Sequence, residues 1–402
     1  TVPPRCFSCQ LLCSMTDVRD VAIQQAIEAR DFEILRKLAF EAGGFGEDFR
    51  LRAWLTLLGV GGEGPESRTV DVTPKEMRTI EADVARSVYT WDVHMDIEES
   101  VRAEKREQLQ RIMCSVLDKH NSQLTYFQGF HDIALVFLEM GTAEQALHML
   151  EKVALFYLSD QLCWPFDSGV EPMLSVFFRL LQALDTELHT ALAEAGITQY
   201  HFALPWLLTW FAHSLNKLHE QVARLYDCLL ASHPLILFYF SVAMLTTHRE
   251  EILNAPRDQM EMQMVLQTLP MKTKDVDNWA IEVSKLSQRL QPEAFMQRMP
   301  WRLWLTLPPT SPLRHYPYPW MTSAAATTAD LAPVYTTSKL LLSMSPAGLR
   351  PRVKRLRQKL RQKLREAPVC IGIGFFGTTF CISKLMAGCF FMCMAVAFSF
   401  TK

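Results

Sequence analysis

Between Val18 and about Asn254 the apolar positions return at intervals of three and four. There is no sustained alternation of period two, so the pattern predicts amphipathic α-helices throughout and no strand or βαβ unit. The apolar segment 31–41 stops at Gly43-Gly44, and a new helix opens near Glu47-Asp48, where acidic side chains suit the positive end of the helix. After the glycine-rich turn 59–64, Thr73-Pro74-Lys75-Glu76 combines an N-cap threonine, proline at the first helical position and glutamate at the third. This is the best-marked helix start in the chain. Further helices are predicted at 101–119, 129–140, 143–158, 171–194, 200–214 and 219–248. The stretch 229–245 has His233 as its one strongly polar member, yet it contains Pro234 and is at the short end of what about 30 Å of hydrocarbon requires. It reads as a buried helix, with a membrane span as the alternative.

Beyond Pro270 the helical signal weakens, and from Pro300 to Thr337 it gives way to Pro, Ser, Thr and Ala, a linker composition in which Trp301, Trp304 and Trp320 have no evident role. Nine Lys or Arg residues then crowd between Arg350 and Arg365, and 369–400 is apolar apart from Lys384. That last segment reads as a membrane anchor. Its thirty-two residues exceed one straight span and Lys384 divides them into halves that are each a little short, so one tilted span and a shallow hairpin both remain open. The basic cluster lies just upstream, and positive-inside logic leaves 1–365 in the cytosol. The expected plan is an unassigned segment 1–17, a helical domain 18–265, a helical remnant and linker 266–348, a basic juxtamembrane segment 349–366 and the anchor 369–400.

Composition narrows the functional classes. A hydrophobic share of 49% and a charged share of 21% describe a globular protein, and a formal charge of -2 argues against a nucleic-acid binder that works through bulk basicity. With the basic run set apart, the part upstream is distinctly acidic. The ten cysteines are scattered, which is not a disulfide framework; Cys6 and Cys9 have knuckle spacing without a second pair at finger distance, so no metal is expected. Residues 1–14 show neither a basic n-region nor a clean cleavage site.

Three short motifs carry the candidate chemistry. Arg50 and Trp54 are four apart, on one face of a helix. Asp83 and Arg86 are three apart on the capped helix, close enough for the carboxylate to orient the guanidinium, with Ile80 anchoring that side. Tyr126-Phe127-Gln128-Gly129 precedes an apolar helix, so Gln128 projects near a positive helix terminus. A positioned arginine, a positioned glutamine and a helix N-terminus, without a metal cluster or a nucleophile motif, suit phosphoryl transfer to water. The chain has no Gly-x4-Gly-Lys-Ser/Thr phosphate loop, so the nucleotide would belong to another protein. Taken singly, each residue has a plainer reading: a cation near a helix C-terminus, a polar residue at a helix start, core tryptophans. His131 and Asp132 are adjacent on a helix and diverge, which argues against hydrolase chemistry of their own.

At these positions the chain resembles the TBC-domain Rab GTPase-activating proteins. Arg50-Leu-Arg-Ala-Trp54 looks like the family's RxxxW, Ile80 to Arg86 matches IxxDxxR, and Tyr126-Phe-Gln128-Gly129 matches YxQG, in family order. The resemblance continues through Phe202 to Phe211 and Arg224-Leu-Tyr-Asp227, covering about 30–260, and is greatest to the endoplasmic-reticulum-anchored member 20 branch. It implies an all-α, two-lobed TBC domain followed by a linker and a C-terminal membrane helix or hairpin. It further implies that Arg86 is an arginine finger and Gln128 a glutamine finger, with Asp83, Tyr126, Gly129, Ile80, Arg50 and Trp54 in support. The protein would activate an early-secretory Rab at an endoplasmic reticulum or early Golgi membrane, binding no cofactor of its own because GTP and Mg²⁺ are carried by the GTPase. The alternative is a membrane-tethered Rab-binding scaffold that does not accelerate hydrolysis. Two departures stand out: Ser87 to Asp92 lacks the basic and proline residues expected there, and the 300–337 linker is unlike the branch.

Overall fold

The computed structural model describes residues 7–61, 74–91, 98–120, 123–215, 219–272 and 275–322. Among the described residues there are twenty α-helices and one 3-10 turn, and no strand. Local chemistry accounts for many of the boundaries. Asp31 caps the Phe32–Phe40 helix by accepting from the Ile34 N–H at 2.9 Å. Thr142 and Gln145 close a reciprocal capping box on Ala143–Phe156. The helices fall into two packing sets. In the first, Pro74–Trp91, Glu99–Lys119, Phe130–Met140 and Ala143–Phe156 pack on one another; in the second, Ile236–Thr247 packs on Phe166–Leu184 and Val276–Arg289. His219–Ala231 touches both Phe32–Phe40 and Val276–Arg289, and one buried cluster runs from Ile23 to Trp320.

Three expected helices are interrupted, each for a local reason. The run 171–194 breaks at Asp185, whose side chain turns back to cap the next helix at Leu188 N (2.9 Å) and pairs with Arg249 at 2.8 Å. The run 219–248 becomes His219–Ala231 and Ile236–Thr247, because Pro234 has no N–H to continue the ladder and His233 Nδ1 instead accepts from Leu235 N at 3.0 Å. Ile236 to Leu245 is buried on all sides, as expected of a helix in the middle of a large core. The run 200–214 contracts to His201–Ala203 and Leu204–Leu208, followed by Trp210 and Phe211 at φ of 51° and 62°. Left-handed backbone is costly for such residues. Here it turns both rings into the core, where they are 4% and 0% exposed.

The linker reading fails over 300–322. Trp320 is buried against Gly59 and donates its indole N–H to Leu57 O at 2.9 Å. Tyr318 donates to Phe156 O at 2.9 Å, while Thr310 and Ser311 bond to Trp164, Ser159 and Asp160 at 2.7 Å each. Prolines here make short turns that hand successive side chains to the core, rather than an extended spacer. No helix among the described residues is long and apolar enough to cross a membrane. The basic run 350–365 and the apolar segment 369–400 lie outside the described residues, as do residues 1–6.

Candidate functional site

On the Pro74–Trp91 helix, Ile80, Asp83, Val84 and Ser87 face inward and the Arg86 side chain is 62% exposed. Asp83 contacts the Arg86 guanidinium one turn away. Its other oxygen accepts from the Tyr126 hydroxyl at 2.7 Å, so a carboxylate only 1% exposed connects this helix to the turn that carries Gln128. Burial, reinforced by that bond to Asp83, raises the Tyr126 phenol and keeps its proton in place.

The turn itself is fixed at several points. Thr125 N donates to Leu162 O at 2.7 Å and Tyr126 N to Glu76 Oε1 at 3.2 Å, while the Phe127 ring lies 5.9 Å from that of Phe130. Gly129 then caps the Phe130–Met140 helix at φ +112°, where an added Cβ would lie 2.8 Å from Thr209 Cγ2. Glycine is required on both counts. The consequence is that Tyr126 points inward and Gln128, two residues on, is exposed.

Arg86 and Gln128 line the same open cleft, of about 620 Å³, together with Leu204, Pro205, Leu208 and His213. His131 and Asp132, set aside in the sequence reading, are both at the cleft, buried to 6% and 4% exposure. Tyr126 has one proton and gives it to Asp83, so the 3.2 Å contact between its oxygen and His131 Nδ1 requires the imidazole to donate. Burial lowers the His131 pKa against the pull of Asp132 and Asp83. His213, which the sequence reading did not single out, lies 3.3 Å from Asp132 Oδ2 and has its pKa raised chiefly by that bond.

Arg50 and Trp54 converge elsewhere, on the fully buried Asp227, through Arg50 Nε at 3.1 Å and the Trp54 indole N–H at 2.8 Å. Phe45 N donates to the same carboxylate at 3.1 Å. Neither side chain lines the cleft. Trp54 supports it from behind, edge-on to Phe137 at 5.8 Å on the helix that Gly129 opens. Among the described residues no three His, Cys, Asp or Glu side chains are grouped to hold a metal ion, and Cys114, Cys163 and Cys228 are free and buried.

Fold and cleft together define a class: an all-helical domain that shows an arginine on one helix and a glutamine at the start of another to whatever enters a single open cleft. Residues 47–253 match the sequence model of the Rab-GTPase-TBC domain, and the chain belongs to that family. Its relatives include TBC1 domain family member 20 of mouse, 32% identical over 254 residues, and the human protein of that name, 30% identical over 254 residues. In both cases the match covers 62% of this chain and 62% of the relative's length. The GTPase-activating protein gyp10 of Schizosaccharomyces pombe is 30% identical over 243 residues, 58% of this chain and 61% of its own. Among solved structures, the Chlamydomonas flagellar RabGAP TBC domain aligns over 71% of this chain and 96% of its own, with 19% identity and a TM-score of 0.48.

Proposed function

We propose that this domain accelerates GTP hydrolysis by a Rab-family small GTPase, with Arg86 as arginine finger and Gln128 as glutamine finger, both supplied in trans. The observation that supports this reading is that two exposed side chains, one on the Pro74–Trp91 helix and one in the turn before Phe130–Met140, line one cleft, and the Asp83–Tyr126 bond joins that helix to that turn. In hydrolysis charge moves onto the phosphate oxygens and the attacking water must be held in line. A guanidinium supplies the charge, and an amide can accept from the water while donating to the phosphate. GTP and Mg²⁺ would be carried by the partner. The name of the Schizosaccharomyces pombe relative, a GTPase-activating protein, favours the same activity. The finer expectation, an early-secretory Rab met at an endoplasmic reticulum or early Golgi membrane, draws on the sequence of 350–365 and 369–400 and on the member 20 relatives.

The test is phosphate release from a panel of GTP-loaded Rabs with the chain and its Arg86→Ala and Gln128→Ala variants. Arg86→Ala is expected to lose about 10³-fold or more of the acceleration. Wild-type rates from both variants would overturn the reading. Replacing the GTPase's own catalytic glutamine with leucine should leave acceleration largely intact, and its disappearance would remove Gln128 from the mechanism.

A further inference from the structure

The cleft that Arg86 lines carries a second basic side chain, His213, and its setting is built rather than incidental. His213 follows the left-handed pair Trp210 and Phe211, whose buried rings fix the path of the chain. Its backbone N–H donates to Thr209 Oγ1 at 3.2 Å, while its side chain stays 61% exposed. The backbone is anchored and the ring reaches the cleft.

Asp132, in the first turn of the Phe130–Met140 helix, is 4% exposed and meets two imidazoles: His131 Nε2 at 3.5 Å and His213 Nδ1 at 3.3 Å. A buried carboxylate needs a cation or several donors. His131 is poorly suited to be that cation, since burial lowers its pKa, and the neutral ring, with its one proton on Nδ1 toward Tyr126, has none on Nε2 for Asp132. The charge therefore falls to His213, which Asp132 favours and Arg86, the other cation facing the cleft, opposes. Asp83 is separated from it by Tyr126 and His131. The contacts run from Arg86 through Asp83, Tyr126, His131 and Asp132 to His213, with a cation at each end.

We propose that His213, as an imidazolium held on Asp132, is a third contact of this cleft with the GTP-loaded partner, donating its Nε2–H to an anionic group there. The proposal rests on the function proposed above for Arg86 and Gln128. Its consequence is an activation that declines as pH rises through the histidine range. The anionic group can be a phosphate oxygen of the nucleotide or a carboxylate of the GTPase. These separate kinetically: a contact made only as charge develops on phosphate acts on kcat, and one made equally before and during reaction acts on KM.

The experiment measures kcat and KM for phosphate release from a GTP-loaded Rab between about pH 6 and about pH 8.5, a window that brackets ordinary histidine titration. Each rate is divided by the GTPase's intrinsic rate at the same pH, for wild type, His213→Gln, His213→Arg and Asp132→Asn. His213→Gln should lose about fivefold in kcat/KM at the acid end, converge on wild type at the alkaline end and give a flat profile. His213→Arg should keep the acid-end value throughout, and Asp132→Asn should move the falling limb to lower pH. A His213→Gln enzyme with the wild-type profile overturns the proposal while leaving the fingers untouched. Loss of acceleration in Arg86→Ala confirms in the same assay that the underlying function holds, and its absence in wild type with every Rab would overturn that function and this contact together.

Discussion

The Tyr126 hydroxyl donates to Asp83 Oδ2 at 2.7 Å, and this bond joins the helix that carries Arg86 to the turn that presents Gln128. Neither finger is held by its own packing, since both are exposed. Their relative placement depends on the buried pair beneath them. Tyr126→Phe preserves the ring but leaves a carboxylate that is 1% exposed short of a donor, at a cost of about 1–3 kcal/mol. Hydrolysis rates should fall roughly tenfold or more while the fold survives. Wild-type acceleration from a correctly folded Tyr126→Phe protein would show that the pair does not position the fingers.

A second buried carboxylate holds the framework rather than the cleft. Asp227 accepts from Arg50, Trp54 and Phe45 N–H, and Gly44 at φ +56° brings the chain so close that an added Cβ would lie 2.2 Å from Asp227 Oδ2. Asp227→Asn leaves the Arg50 guanidinium, whose side chain is 10% exposed, without its counter-charge. About 3–5 kcal/mol of stability should be lost, whereas combining Asp227→Asn with Arg50→Met, which removes the unpaired charge while the Asn oxygen still serves as an acceptor for Trp54 and Phe45, should cost less. Urea midpoints read both variants, and equal losses from the single and double changes would contradict a charge-based account.

The outline of this site was legible in the sequence because its signals are local. Asp83 and Arg86 lie one helical turn apart, Pro74 and Glu76 mark the helix start, and Gly129 marks a turn that no other residue makes comfortably. Asp185 and Pro234 broke predicted helices by equally local means, a cap and a missing donor, but an apolar period that continues past them conceals the break. What could not be read is long-range. Nothing near His213 points to Asp132, and nothing in a proline-rich stretch says that Trp320 will sit against Gly59. The aromatic residues in that stretch were the available hint.

The docked segment makes its own prediction. Trp320 is 3% exposed, lies edge-on to Phe156 at 4.7 Å and has Lys152 Nζ 4.9 Å from its ring, and burial lowers the Lys152 pKa to about 8. Trp320→Ala should cost about 3–5 kcal/mol through the cavity it leaves. Gly59→Ala should also destabilise, because φ is +61° and the new Cβ would lie 2.8 Å from Trp320 Cγ. Trp301, 67% exposed, serves as the control and should change stability by no more than about 0.5 kcal/mol. Thermal melts in which Trp320→Ala and Trp301→Ala behave alike would restore the linker reading.

His233 gives the fold a predictable response to acid. Its ring is buried beside Tyr316, 4.8 Å between centroids, and its Nδ1 is occupied in accepting from Leu235 N, so only the neutral form fits. Burial, with Arg36 adding to it, lowers the pKa to about 3. The unfolded chain takes up this proton through about pH 6.5 and the native state does not until about pH 3, so stability falls as pH drops through that window, by up to about 1.4 kcal/mol per unit. Replacing the imidazole with a neutral side chain, His233→Gln, should lower stability at neutral pH and remove that part of the slope. Urea midpoints at about pH 7 and about pH 5 decide it: the gap between the two pH values should narrow in the variant, and an unchanged gap would mean that His233 is protonated in the native state.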